Sequence, residues 1–146
     1  MRNLFVLAFF LFAAACGEPA PQAAGIVVTG GWAAPTPGGV DVSAGYVTII
    51  NGGADDRLLA ASSPRAARVE LHEMRMDGDL MIMRGVAALP IAAGETVSLA
   101  PGSMHLMFFG VNQPFTEGED IAVQITFERA GVIDVTLPVR RGAGDH

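Results

Sequence analysis

The sequence predicts an all-β fold in which short strands form a β-sandwich. Glycine and proline recur throughout residues 26–140 and separate short runs of apolar or alternating residues. Many such runs at close spacing, each bounded by a turn signal, are typical of a sandwich. In the same region no window of about eleven residues carries a convincing helical period, which argues against helices in the core.

Nine segments have the length and residue types of β-strands. In 121–127 every second residue is a large apolar one, beginning with Ile121, and in 132–137 the apolar series begins with Ile133. Each segment therefore has one apolar face, and Ala130-Gly131 between them predicts that the two pair as a hairpin. The predicted strands are 26–32, 45–51, 57–61, 67–76, 80–86, 96–99, 104–111, 121–128 and 132–139.

The first residues of the chain differ from the rest. Arg2 precedes an apolar run at 4–15, and this run is shorter than the roughly 20 residues that a membrane-spanning helix needs. A positive start, a short apolar run and small residues are typical of a secretory signal. The stretch FAAAC resembles a bacterial lipoprotein signal, in which Cys16 would be acylated and become the new N-terminus; ordinary cleavage near Ala15 is the alternative.

The chain is accordingly divided into four parts. Residues 1–16 are predicted to be a lipoprotein-type signal peptide ending at Cys16, and 17–25, rich in Pro, Ala and Gly, a flexible tether. Residues 26–140 are predicted to be the β-sandwich domain, and 141–146 a short tail.

Charge and residue content exclude several classes of function. The formal net charge is −6, or −7 without Arg2, and the chain contains no lysine. A nucleic-acid-binding domain needs a basic face, so no nucleic-acid partner is expected. The domain has two histidines and no cysteine, which leaves no Ser-His-Asp or Cys-His arrangement. An enzyme is therefore not predicted, and no internal disulfide can form.

One segment, HEMRMDGDLMIM at 72–83, combines a histidine with four methionines. If Asp77-Gly78 forms a two-residue hairpin turn, His72 faces Met83 across the hairpin. Opposed residues share a face of the sheet, so the turn would bring an imidazole and a thioether together. The other expected pairs are Met74 with Met81 and Met76 with Asp79.

A second pair of the same kind lies downstream. His105 and Met107 are two residues apart in the strand at 104–111 and therefore share a face. Thioether sulfur is a soft ligand and imidazole a borderline one, a combination that favours Cu(I) over hard cations. A zinc site would more often include cysteine or carboxylate ligands.

Packing is the alternative for the remaining methionines, because methionine commonly fills cores. This interpretation stays open for Met74, Met76, Met81 and Met104. The two His/Met pairs are interpreted as metal ligands rather than packing residues because of their joint spacing.

That spacing resembles a known pattern. His72, ten intervening residues, Met83, twenty-one more, His105, one more and Met107 reproduce the H-x10-M-x21-H-x-M motif of periplasmic copper chaperones of the PCuAC type. Trp32 and the blocks GYVTIINGGADDRLLAASSP, VELHEM, AGETVSLAPG and TFERAG also resemble that family. The tail RRGAGDH has a single histidine where some relatives carry a His- and Met-rich extension, so a second copper site there is in doubt.

The resemblance implies a cupredoxin-like Greek-key β-sandwich that holds Cu(I), with Cu(II) as a second candidate ion. The implied metal ligands are His72, Met83, His105 and Met107. The implied acceptor is a thioredoxin-like copper protein or a cytochrome oxidase subunit, whose binuclear copper centre the protein would help to assemble. We expect a monomeric, exported, periplasmic protein held at a membrane by a lipid on Cys16.

Other functions are weighed against this one. A blue-copper electron carrier needs a cysteine thiolate beside two histidines, and Cys16 lies outside the domain. The remaining alternatives are a copper-storage or resistance protein, and a lipoprotein that binds protein partners and uses the His/Met face only for packing.

Overall fold

Ten β-strands make up the regular structure of residues 25–142, the part of the chain that the computed structural model describes. The signal peptide, Cys16, most of the tether and the last four residues lie outside these described residues. No helix within 25–142 is both long and apolar enough to cross a membrane. The strands are β1 (Ile26–Ala33), β2 (Val42–Asn51), β3 (Asp56–Ser62), β4 (Ala66–Asp77), β5 (Leu80–Gly85), β6 (Leu89–Ile91), β7 (Thr96–Ser98), β8 (Met104–Val111), β9 (Asp120–Phe127) and β10 (Gly131–Pro138).

The strands form a single curled sheet. Its order is β1-β2-β8-β4-β3-β9-β10, with β5 paired to β4, β6 to β3 and β7 to β2. The two ends of this order approach each other, because Ala33 at the end of β1 forms a bridge with Val139 just after β10. The sheet therefore nearly closes around one apolar interior, and its two halves face each other as the layers of a sandwich do. The predicted all-β fold class is confirmed.

Alternation along the strands builds the interior. In β9 the residues Ile121, Val123, Ile125 and Phe127 are all buried, as their spacing predicts. The hairpin of β9 with β10 is confirmed as well, with Gly131 opposite Phe127. All nine predicted strands are present, with ends that differ by at most three residues, and only the short β6 was not predicted.

The predicted turn between β4 and β5 is wrong. Asp77 pairs with Leu80, so the two turn residues are Gly78 and Asp79. Gly78 has φ +62°, and a two-residue turn of this kind needs a positive φ at its first position, which glycine adopts without steric cost. The turn expected from the sequence would place Asp77 in that strained position.

The corrected turn moves the pairing of β4 with β5 by two residues. His72 therefore faces Gly85, and Met83 faces Met74. Met76 faces Met81 instead of Asp79. Because a shift of two residues keeps every side chain on its own face of the sheet, Met83 still shares a face with His72.

Candidate metal centre

Strand β8 carries two of the predicted ligands on the side of the sheet that is turned away from the interior. Leu106 and Phe108 are fully buried in the core. His105 and Met107 alternate with them and so lie on the opposite face. The face of β4, β5 and β8 that carries His105 and Met107 is called the donor face below.

The two domain histidines meet across β4 and β8. His72 is the direct register partner of His105, and their ring centroids are 6.2 Å apart. Met107 pairs with Glu70 in the same ladder, which places it diagonally across from His72. Diagonal neighbours of this kind are roughly 7–8 Å apart at Cα, within reach of long side chains. The imidazole of His72 and the thioether of Met107 thus lie on the same side of the sheet.

Met83 lies on β5, which pairs with the edge of β4 that does not pair with β8. It pairs with Met74 and lies diagonally across from His72, whose direct partner on β5 is Gly85. A Cβ added to Gly85 would meet nothing within 4 Å, so the flank of His72 towards β5 is open. All four predicted donors therefore share one face around His72, and their role as metal ligands stays a prediction.

His72 has one ring nitrogen bonded and one without a partner. Its Nε2 lies 2.9 Å from Oε2 of Glu70. A carboxylate oxygen only accepts, so Nε2 carries the proton and Nδ1 carries the lone pair. Nδ1 is buried and has no hydrogen-bond partner among the described residues. An unsatisfied buried nitrogen is destabilising, and a soft metal ion is one group that would satisfy it.

Glu70 is a further residue of the candidate site, and the sequence analysis did not predict it. Its Oε1 accepts a hydrogen bond of 2.7 Å from Nε of Arg68. Hydrogen bonds from His72 and then from Arg68 hold the pKa of Glu70 below its ordinary value. The carboxylate therefore stays charged beside His72 and fixes the imidazole, as outer carboxylates do for metal-binding histidines. Its position two residues before His72 in a strand was the available signal.

His105 is the most enclosed of the four candidate donors, at 3% exposed. Its Nδ1 lies 3.2 Å from the backbone carbonyl oxygen of Ser103. Since a carbonyl oxygen cannot donate, Nδ1 carries the proton, and the lone pair is on Nε2. The tautomers of His105 and His72 are thus each set by an oxygen acceptor, and each ring keeps one nitrogen able to bind a cation.

Aromatic side chains surround the histidine pair. The ring of Tyr46 lies 6.4 Å from His105 and 4.5 Å from Trp32. The ring of Phe109 lies 5.6 Å from His72, and the Arg68 guanidinium sits 4.3 Å above it. These rings shield the histidines from water and lower the local dielectric, which strengthens any electrostatic contact made there.

The donor set itself limits which metals could be bound. Within residues 25–142 no group of three or more His, Cys, Asp or Glu side chains is arranged to hold a metal ion. The four candidate donors would include two thioether sulfurs, and such donors fit a soft cation rather than Mg²⁺ or Ca²⁺.

Comparison with known proteins places the chain in a family. The family model described as "Putative lipoprotein LpqE-like" matches residues 26–139. The chain belongs to the LpqE-like family. This LpqE-like protein is also 29% identical over 134 residues to "Putative lipoprotein Lxx21020" of Leifsonia xyli subsp. xyli, an alignment that covers 90% of this chain and 79% of that protein.

Solved structures similar to the LpqE-like chain include a PCuAC domain and the protein DR1885. The copper-bound PCuAC domain from PmoF2 superposes with a TM-score of 0.68 at 20% identity, covering 80% of this chain and 93% of that one. The solution structure of Cu(I)-DR1885 from Deinococcus radiodurans has a TM-score of 0.63 at 25% identity, covering 80% and 78%. Apo-DR1885 has a TM-score of 0.61 at 24% identity, covering 98% and 95%. The LpqE-like chain thus has a PCuAC-type fold.

Exposure differs sharply among the four candidate donors of the LpqE-like chain. His105 is almost fully enclosed and His72 and Met107 are partly covered, whereas Met83 is 47% exposed. The donor face is therefore closed on the β8 side and open on the β5 side. A second molecule would reach Met83 before it could reach either histidine.

Proposed function

We propose that this LpqE-like protein binds Cu(I) through His72, Met83, His105 and Met107 and carries it to another protein. The observation that carries the proposal is the direct pairing of His72 with His105 on a face shared by both methionines. Two imidazoles and two thioethers form a neutral, soft donor set that selects Cu(I). The similarity to the copper-bound PCuAC domain from PmoF2 and to Cu(I)-DR1885 supports the same assignment. Cu(II) is the second candidate ion.

The positive charge of Cu(I) would be balanced by a carboxylate that is not itself a ligand. Four neutral donors leave the single positive charge of Cu(I) uncompensated. The carboxylate of Glu70, hydrogen-bonded to His72, supplies a nearby negative charge. Arg68 binds the other oxygen of the same carboxylate and reduces this charge without removing it. The site can therefore favour a cation while keeping anionic groups out of the ligand set itself.

The uneven exposure of the donors suggests how the ion is released. Thioethers bind Cu(I) less tightly than thiolates, so an acceptor with cysteine thiolates can displace them. Met83 is the accessible donor and would be exchanged first; the enclosed His105 would be exchanged last. We propose a thioredoxin-like copper protein or a cytochrome oxidase subunit as the acceptor. The chaperone would act in the periplasm as a monomer, tethered to a membrane by a lipid on Cys16, which agrees with its lipoprotein family.

X-ray absorption on the Cu(I)-loaded protein tests the ligand set directly. We expect two nitrogen and two sulfur scatterers around each ion. Met83→Leu should remove one sulfur, whereas Met104→Leu, the same change on the opposite face of the sheet, should leave the spectrum unchanged. A first shell without sulfur, or one that Met83→Leu does not alter, would contradict the assignment.

Loss of the outer carboxylate should weaken binding without removing a ligand. We expect Glu70→Ala to lower Cu(I) affinity by roughly 10–100-fold, the usual effect of losing an outer partner of a metal-binding histidine. Competition with a chromophoric Cu(I) chelator measures this change. Glu73→Ala is the matched control, because Glu73 lies on the opposite face of β4 and contacts Arg84. Equal affinities in the two variants would refute the role of Glu70.

A further inference from the structure

The β4–β5 hairpin holds more thioethers than the proposed copper site uses. Four of the seven methionines of the chain lie there. They form two adjacent cross-strand pairs, Met74 opposite Met83 and Met76 opposite Met81. Alternation puts both pairs on the donor face, in line with His72. Met83 belongs to the proposed site, and the other three have no role in it.

Packing does not account for the outer pair. Met76 is 57% exposed and Met81 61% exposed, whereas a methionine that fills a core is enclosed. Their neighbours Leu80 and Ile82 are exposed as well, so the tip of the hairpin has no apolar layer over it within residues 25–142. Apolar side chains on such a surface indicate a binding role.

We propose that Met76 and Met81 form an outer site for Cu(I), from which the ion moves to the inner site past Met74 and Met83. Directly opposed residues have Cβ atoms about 4.5–5.5 Å apart. Methionine has three rotatable side-chain bonds, so two opposed thioethers can close on one ion between them. The onward movement rests on the proposed function, whereas the outer site stands on the hairpin alone.

The spacing of the hairpin suits stepwise movement of an ion. Successive residues on one face of a strand are about 7 Å apart, so the outer pair, the inner pair and His72 form three evenly spaced positions. Each step exchanges neutral donors for neutral donors, and the copper stays cuprous throughout. Asp77 and Asp79 are exposed beside the tip, where their negative charge would attract a cation.

Nuclear magnetic resonance of methionine methyl groups during anaerobic Cu(I) titration of the full chain tests this proposal. We expect the first equivalent to shift the methyl signals of Met83 and Met107, and the second to shift those of Met76 and Met81. The double variant Met76→Leu/Met81→Leu, which preserves side-chain volume, should lose the second equivalent and keep the first at unchanged affinity. Met104→Leu is the matched control and should bind both.

The same titration separates this proposal from the proposed function. His72→Ala should weaken the first equivalent and leave the shifts of Met76 and Met81 in place. If the native protein bound one equivalent that shifted only Met76 and Met81, the inner site would be refuted and the outer one supported. Unmoved signals of Met76 and Met81 at two equivalents, or two equivalents bound by the double variant, would overturn the outer site.

Discussion

A variant that combines His72→Ala with Met83→Leu is expected to bind Cu(I) more than about a hundredfold less tightly than the native protein. The loss should exceed the 10–100-fold effect of removing an outer partner, because two direct ligands are lost. His72 is the donor around which the other three are arranged, and Met83 is the donor supplied by β5. Competition with a Cu(I) chelator under reducing, anaerobic conditions gives the affinity.

The fold of this variant should survive, because neither side chain belongs to the buried core. Circular dichroism and the midpoint of urea unfolding check that point. The control His72→Ala/Met104→Leu carries the same two kinds of change but keeps Met83, and its affinity should lie between those of the native protein and the first variant. Native affinity in His72→Ala/Met83→Leu would refute the copper assignment.

Phe108→Ala is expected to lower the free energy of unfolding by about 3–5 kcal/mol, as truncation of a buried aromatic side chain does. Phe108 is 0% exposed, and its ring packs edge-to-face against Phe115 at 5.2 Å. It lies on β8 between Met107 and Phe109, so it also supports the backbone that carries two of the candidate donors. Urea unfolding followed by circular dichroism measures the change.

A matched truncation on the surface controls for this measurement. Val132 is 58% exposed on β10, and Val132→Ala should change stability by no more than about 0.5 kcal/mol. If Phe108→Ala were as mild as Val132→Ala, the interior of the curled sheet could not be the main source of stability.

The local sequence pattern was sufficient to predict most of the fold, because the strands are half-buried and so alternate between apolar and polar residues. In β9 and β10 a period of two decides both the strand and its buried face, and the loop between them is too short to allow another pairing. β6 escaped prediction because it is three residues long and contains Pro90. A proline cannot donate to a ladder, so it argues against a strand except at an edge; β6 has β3 as a partner on one side.

The candidate site was harder to predict because it depends on pairing between distant segments. Nothing local to His72 shows that its strand lies beside the one that holds His105, thirty-three positions later. The resemblance to a known motif supplied that link, and in the structure β4 pairs with β8. Glu70 was overlooked because its contribution depends on sharing a face with His72, which matters only once the strand is in place. The hairpin register failed because glycine, rather than aspartate, takes the first turn position.

The long β4 strand has a mechanical consequence. Residues 75–77 extend past β8, and within residues 25–142 their only ladder partner is β5. A lone two-stranded ribbon is marginally stable in water, so this end of the molecule opens locally at a smaller free energy than the core. Met83, which pairs with Met74, lies at the base of this ribbon, while His105 and Met107 lie on β8 within the main sheet. Changes at Gly78 or Asp79 in the turn would therefore alter how readily this end opens while leaving all four candidate donors in place.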